Sequence, residues 1–229
     1  MAFDGFPADT VRFLAELAKN NNRQWFLAHK PRYEQSVRAP ALALIEAMAL
    51  PLERISKYVF ADPTPSGGSL MRVYRDTRFT GGKEPYKTNL GIQFRHERGR
   101  DIHAPGLYFH LEPREFFLAC GMWRPEAEAL LAIRTRIAER PDEWRQATKN
   151  RAFVRVWKAV TGDKLKRPPR GFDPDHPCIE DIKFTDFLGV ADLPRGLISS
   201  PGLVDHVAKA FAAGTPLMKF LCAALGLPY

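Results

Sequence analysis

Three short segments between residues 90 and 123 carry the patterns of β-strands, and no helical pattern separates them. Leu90 to Arg95 and Leu107 to Glu112 alternate between apolar and polar residues, which is the periodicity of a half-buried strand. Glu115 to Trp123 follows after Pro113-Arg114, so the last two segments are predicted to form a hairpin. Because no β-α-β-α alternation is present, the sheet is expected to be mainly antiparallel.

Helical patterns lie on both sides of this strand-rich middle. The N-terminal ones are followed by a loop rich in Pro and Gly and by a short β-prone segment at 70–74. Helices are expected over 8–19, 23–29 and about 32–57, the last with breaks or kinks at Pro40 and Pro51, and at 201–211 and 216–225, with two more beginning at Pro125 and Pro141. The predicted fold class is α+β: a central, mainly antiparallel sheet with N-terminal and C-terminal helices packed on it, in one domain spanning 1–229.

Composition excludes several classes of protein. A hydrophobic fraction of 45% and a charged fraction of 26% are typical of a globular chain and not of a disordered one. Cys120, Cys178 and Cys222 are far apart and form no C-x-x-C, which argues against disulfides and against a zinc knuckle. No signal-peptide pattern and no run of 18 apolar residues occurs, so we expect a cytoplasmic protein without a membrane segment.

Positive charge is concentrated in two stretches of the chain. The net charge is +8, of which residues 69–100 contribute +5 and residues 163–170 contribute +3. The remainder of the chain is neutral on balance. Local positive charge attracts phosphates, carboxylates or a nucleic-acid backbone, although a solvated basic surface is an equally ordinary reading of charge alone.

The first basic stretch combines cations, glycines and aromatic rings between two β-prone segments. Arginine side chains suit phosphate or carboxylate, and Gly81-Gly82 would let backbone N–H groups approach an anion. The spacing matches neither a Walker loop nor a dinucleotide fingerprint, so no motif identifies a cofactor. The candidate ligand-binding residues are Arg72, Tyr74, Arg75, Asp76, Arg78, Lys83, Tyr86 and Lys87. The alternative is a hairpin loop in which Asp76 and Glu84 neutralise the neighbouring cations.

His110 and Glu112 are the candidate catalytic residues. In a strand, residues two apart share a face, so these side chains are expected side by side with Tyr108. Such a pair can act as acid and base, or as two metal ligands that His103 joins. The commoner alternative is the polar outer face of a half-exposed strand.

The second basic stretch is stiffened by prolines and followed by carboxylates. Lys166, Arg167, Arg170 and His176 are candidate ligand-binding residues here, while a plain surface connector is the alternative. Trp123, at the end of a predicted strand, is a further candidate for lining a pocket. No serine or cysteine lies in a pattern typical of nucleophilic catalysis.

Several motifs together resemble an uncharacterised bacterial and fungal family, a conserved domain of unknown function (DUF2461). The motifs are Arg72-Val73-Tyr74-Arg75-Asp76-Thr77-Arg78-Phe79, Lys83-Glu84-Pro85-Tyr86-Lys87-Thr88-Asn89, Phe109-His110-Leu111-Glu112-Pro113, Gly121-Met122-Trp123-Arg124-Pro125, Leu165-Lys166-Arg167-Pro168-Pro169-Arg170-Gly171-Phe172 and Asp175-His176-Pro177. The resemblance begins near Phe3-Asp4-Gly5-Phe6-Pro7 and covers nearly the whole chain. It implies a single-domain intracellular protein and transfers no reaction, cofactor or catalytic residue.

Three functional hypotheses follow from these observations. The first is a pocket for an anionic, phosphorylated ligand, lined by both basic stretches, with His110 and Glu112 supplying acid–base chemistry. The second is a non-enzymatic nucleic-acid-binding module, whose affinity would fall steeply with salt. The third is an interaction domain whose basic face meets an acidic protein.

Overall fold

Residues 90–122 form three consecutive antiparallel strands, as their sequence pattern predicts. The structure is a computed structural model that describes residues 3–76, 84–100 and 104–229, apart from the side chain of Arg100. Within these residues a six-stranded sheet has the order β1-β2-β3-β4-β6-β5, and every pair in it is antiparallel. The strands are β1 Val59–Phe60, β2 Leu90–His96, β3 Gly106–Leu111, β4 Phe116–Met122, β5 Val160–Thr161 and β6 Phe187–Asp192.

Helices lie before and after the three central strands and pack on the sheet, which confirms the predicted α+β class. Apolar side chains of helices and strands form one contiguous core that includes Phe13, Leu44, Phe109, Trp144 and Phe211. The helices are α1 Ala8–Lys19, α2 Arg23–Ala28, α3 Lys30–Tyr33, α4 Ala39–Ile55, α5 Ala127–Glu139, α6 Pro141–Lys149, α7 Arg151–Trp157, α8 Ile179–Ile182, α9 Leu203–Ala213 and α10 Thr215–Ala224.

The helix predicted over 32–57 is interrupted near its start. A π-helical segment, Glu34–Arg38, joins α3 to α4. Pro40 is the second residue of α4 and directly follows the π-helical segment, so the helix is irregular where the sequence predicts a break. Because Pro40 has no N–H, the carbonyl of Ser36, four residues earlier, accepts a hydrogen bond from the Thr10 hydroxyl instead. Pro51 lies inside α4 near the C-terminal end.

The β-prone segment predicted at 70–74 is not a regular strand. It makes two isolated bridges, Leu70 to Ile92 and Tyr74 to Tyr86. Three residues separate the bridges on one side and five on the other, so the ladder is irregular between them. The segment nevertheless lies alongside the first half of β2, since Met71 donates its N–H to the carbonyl of Gly91 at 3.0 Å.

The two faces of the sheet differ in their surroundings. Leu107, Phe109 and Leu111 of β3 are fully buried beneath the helices. The opposite face carries side chains that are only partly buried or are exposed, and we call it the open face; it is formed by Gln93, Arg95, Tyr108, His110, Phe117, Val190 and Asp192. Candidate site residues on the strands can therefore meet a ligand only on this side.

Within the described residues, no single helix has the length and apolarity needed to cross a membrane. Helices α9 and α10 meet the criterion only when taken together, and they are bent by 50° relative to each other.

Candidate functional site

The cross-strand register places the candidate catalytic histidine on the open face, near the end of β3. His110 pairs with Gly91 on β2 and with Phe117 on β4. A Cβ atom on Gly91 would lie 2.8 Å from the Tyr108 hydroxyl oxygen, so glycine leaves the space that this phenol occupies. Tyr108 is thereby held close to the His110 ring.

The His110 ring is fixed on one side by stacking and at one nitrogen by hydrogen bonding. Its plane lies 12° from that of Phe117, with ring centroids 4.5 Å apart. Nδ1 lies 3.0 Å from the Tyr108 hydroxyl, and Asn89 Nδ2 lies 3.5 Å from both groups. The other nitrogen, Nε2, is shielded from solvent and has no hydrogen-bond partner among the described residues.

Two carboxylates flank the turn that follows β3, next to His110. Glu112 donates its backbone N–H to the carbonyl of Glu115 at 2.8 Å, which closes the β3–β4 hairpin. Glu112 Oε2 lies 3.8 Å from His110 Nε2. One donor atom each from His110, Glu112 and Glu115 lie within 4.8 Å of one another. The predicted adjacency of His110 and Glu112 is confirmed, and Glu115 is a neighbour that the sequence analysis missed.

Burial and like charge shift the ionisation of this cluster. Burial lowers the pKa of His110, opposed by the carboxylate of Glu115. Burial and the charge of Glu115 raise the pKa of Glu112, while Arg114 lowers it. Burial raises the pKa of Tyr108 to about 12. The site therefore disfavours both a charged imidazole and two adjacent carboxylates.

Lys87, a candidate cation of the first basic stretch, lies just before the start of β2 and two residues before Asn89. Lys87 donates its backbone N–H to Val73 at 2.7 Å, and Arg75 donates to Pro85 at 2.9 Å. These bonds bring the two arms of the stretch together. Arg75 is paired with Glu84 at 3.1 Å and Arg72 with Asp76 at 3.8 Å, both with largely exposed side chains.

Lys87 has no carboxylate partner among the described residues. Burial lowers the pKa of its ammonium group, and the charges of Arg72 and Arg75 lower it further. A partly buried cation close to two like charges gains from any anion that binds between them.

The two tyrosines of this stretch have different environments. Tyr74 is half exposed, and its ring is accessible. Tyr86 is almost fully buried and stacks on Phe26 of α2 at a centroid distance of 4.1 Å. In this arrangement the ring of Tyr86 is part of the core and is not accessible to a ligand. Arg78 and Lys83 lie outside the described residues, as does His103.

The second basic stretch lies at the other edge of the sheet. Lys164 forms an isolated antiparallel β-bridge with Phe184, and Leu165 donates its N–H to the carbonyl of Lys183 at 2.9 Å. These backbone contacts fix the stretch beside β5 and α8. Four strand spacings, roughly 19 Å, separate β2 from β5. The exposed side chains of Lys166, Arg167 and Arg170 therefore do not line a common hollow with the described cations of the first stretch.

His176 and Trp123 do not join the cluster around His110. His176 Nε2 lies 3.1 Å from the carbonyl of Ala138, and its Nδ1 accepts the N–H of Cys178, so both nitrogens already have partners within the protein. Trp123 is exposed at the end of β4 opposite to Glu115, roughly 20 Å along the strand from Phe117.

Comparison with known proteins identifies the family of the chain. No curated protein and no solved structure matches it. A family model described as a conserved hypothetical protein (DUF2461) matches residues 9–220, which include both basic stretches and the His110 cluster. Since this match covers most of the chain, the protein belongs to the DUF2461 family.

Proposed function

We propose that the protein binds an anionic, phosphate-bearing ligand beside β2, held by Lys87, Arg72 and Arg75. The observation that carries this proposal is Lys87: a partly buried ammonium group, near two other cations and without a carboxylate partner among the described residues. Burying an unpaired charge is costly, and an anion of matching position removes that cost.

The arginines of this cluster are suited to release their present partners. The Arg72–Asp76 and Arg75–Glu84 pairs are exposed, and exposed pairs contribute little to stability. A phosphate group offers each guanidinium a stronger, forked hydrogen-bonding partner. The ligand would then displace Asp76 and Glu84 from the arginines.

The chemistry that we propose for such a ligand is proton transfer by His110 and Glu112. Asn89 links the cation cluster to this pair, because it follows Lys87 by two residues and lies 3.5 Å from His110 Nδ1. His110 Nε2 and Glu112 Oε2 are 3.8 Å apart, which places a donor and an acceptor on the same side of the ring.

Titration of the protein with pyrophosphate, followed by calorimetry at about 50 mM salt, tests the binding proposal. We expect Lys87→Met to weaken pyrophosphate binding at least about tenfold, while the methionine keeps most of the packing of the lysine stem. Lys166→Met in the second basic stretch is the matched control and should bind like the unmodified protein. Equal losses in both variants, or no binding by the unmodified protein, would contradict the proposal.

Nucleic acid remains the alternative ligand with the same chemistry. Labelled single-stranded and double-stranded DNA and RNA, titrated over a range of salt, separate the two. Tight binding of an oligonucleotide that depends on Lys87 and on Lys166 alike would favour an extended nucleic-acid surface over a local anion site.

We also propose a cytoplasmic location. Cys120, Cys178 and Cys222 are all buried free thiols, which is the state expected in a reducing compartment.

A further inference from the structure

We propose that His110, Glu112 and Glu115 bind one divalent transition-metal ion on the open face of the sheet. The inference is independent of anion binding beside Lys87, because it rests on different side chains. With the ion in place, the cluster would act on a ligand as a Lewis acid instead of by proton transfer.

The distance between His110 Nε2 and Glu112 Oε2 fits two ligand atoms of a single metal ion. At 3.8 Å it is too long for a hydrogen bond. It is shorter than about 4.2 Å, which is twice the usual length of a bond from a transition metal to imidazole nitrogen or carboxylate oxygen. One ion can therefore bind both atoms without movement of the backbone.

Glu115 supplies the third ligand. Its carboxylate lies within 4.8 Å of the other two donor atoms and is exposed, so rotation of its side chain brings an oxygen to the ion. The backbone hydrogen bond from Glu112 to Glu115 fixes the two residues on either side of one tight turn. The spacing between the carboxylates thus follows from the hairpin and not from a flexible loop.

The hydrogen bonding at the opposite side of the imidazole suits a metal ligand. When the proton is on Nδ1, His110 donates it to the Tyr108 oxygen 3.0 Å away, and Nε2 presents its lone pair toward Glu112. Metal-binding histidines usually have a hydrogen-bond partner on the second nitrogen, and this partner holds the orientation of the ring. Stacking on Phe117 prevents the ring from turning away.

The charge of the cluster also favours a cation. Glu112 and Glu115 lie near each other, and no lysine or arginine of the described residues forms an ion pair with either. Arg114 in the turn acts on Glu112 only from beyond ion-pair distance. A divalent ion would relieve the repulsion between the two carboxylates.

The ligand types narrow the class of ion. Imidazole nitrogen suits zinc, iron and other later transition metals, whereas carboxylates also suit manganese and magnesium. One nitrogen with two carboxylate oxygens therefore indicates Zn²⁺, Fe²⁺ or Mn²⁺, and disfavours Ca²⁺ and Mg²⁺. Three protein ligands leave at least one coordination position for water or for a ligand.

Metal binding is tested on the full chain after treatment with a chelator and its removal by dialysis. Zn²⁺ binding is measured by calorimetry, and Mn²⁺ binding by the loss of the free-ion signal in electron paramagnetic resonance. We expect one ion per chain, with affinity reduced about tenfold or more in His110→Gln and in Glu115→Gln. His206→Gln and Glu53→Gln, which change exposed residues elsewhere, are the matched controls.

Circular dichroism and the melting temperature establish that each variant is folded before its affinity is compared. No bound ion in the unmodified protein, or the same affinity in His110→Gln, would overturn the inference. Lys87→Met separates it from the anion proposal: this variant should lose pyrophosphate binding and keep the ion. Pyrophosphate binding that persists in metal-free protein would support the anion site even if no metal ion binds.

Discussion

The hydroxyl group of Tyr108 lies 3.0 Å from Nδ1 of His110, and both side chains are on the open face of β3. The two residues are neighbours on one strand face because side chains alternate along a strand. The phenol therefore gives Nδ1 a hydrogen-bond partner and leaves Nε2 facing Glu112.

Removing this phenol should weaken metal binding without displacing any ligand. We expect Tyr108→Phe to lower the affinity for Zn²⁺ about tenfold, because His110 would lose the hydrogen-bond partner of its second nitrogen. Nitrogen chemical shifts of His110 in nuclear magnetic resonance should show a mixture of tautomers in the variant. Tyr58→Phe is the control, since Tyr58 stacks on a different histidine, His96. Equal effects of both changes would mean that the role of Tyr108 is only structural.

Removing the partner of Arg75 should strengthen anion binding. Glu84 forms an ion pair with Arg75 at 3.1 Å and competes with an anionic ligand for it. We expect Glu84→Gln to increase the affinity for pyrophosphate about two- to fivefold, measured by calorimetry. Glu180→Gln, which frees Lys164 and Lys183 at the other edge of the sheet, should leave it unchanged. A gain in the second variant instead would place the anion near β5.

Acid should destabilise the contact between α1 and α3. Arg32 donates hydrogen bonds to both Asp9 and Glu16. Its bond to Asp9, together with one from Ser36, lowers the pKa of Asp9 to about 2. Because the folded-state pKa lies below the unfolded value of 3.8, this stabilisation is complete above about pH 5 and is lost as the pH falls through 2.

Asp9→Asn should therefore cost about 1–2 kcal/mol of unfolding free energy at pH 7, a figure reduced for partial exposure. The difference from the unmodified protein should shrink as the pH approaches 2. Urea unfolding at several pH values measures both quantities. Glu53→Gln is the control, and a pH-independent difference for Asp9→Asn would contradict the assignment.

The junction between β4 and β6 should not tolerate a side chain at Gly121. Its φ is +121°, and a Cβ atom would lie 2.0 Å from the carbonyl oxygen of Phe187. We expect Gly121→Ala to cost about 3 kcal/mol or more, from backbone strain and displacement of β6. Gly196→Ala, where nothing lies within 4 Å, should change stability by less than about 0.5 kcal/mol in the same urea unfolding assay. Similar stabilities of the two variants would contradict this packing.

Regular alternation explains why the middle of the fold could be predicted. The β3–β4 hairpin follows from its apolar and polar periodicity and from Pro113-Arg114, and the structure pairs Leu111 with Phe116 as that turn requires. The same register places Glu112 beside Glu115, so the missing member of the cluster was accessible to sequence reasoning about the hairpin. Alternation along β3 alone does not point to Glu115, because this residue lies beyond the turn.

Other features depend on contacts that periodicity does not encode. Strand β6 was missed because Gly189 lies in an otherwise apolar run, and only the structure shows Cys120 and Trp157 packed against that glycine. The positions of both basic stretches in the chain follow from the distribution of charge. The distance between them depends on the order of the strands in the sheet, which places β5 at the edge far from β2. The burial of Tyr86 similarly depends on Phe26, sixty residues earlier in the chain.

The pairing of β4 with β6 has a consequence for how the protein is made. Residues 117–122 emerge from the ribosome well before their partners at 187–192, since the two strands are seventy residues apart. At a synthesis rate of about 5–20 residues per second, one edge of β4 stays unpaired for several seconds until β6 has been synthesised. Nascent chains stalled between these strands would expose an apolar edge, and this is where chaperones should be needed most.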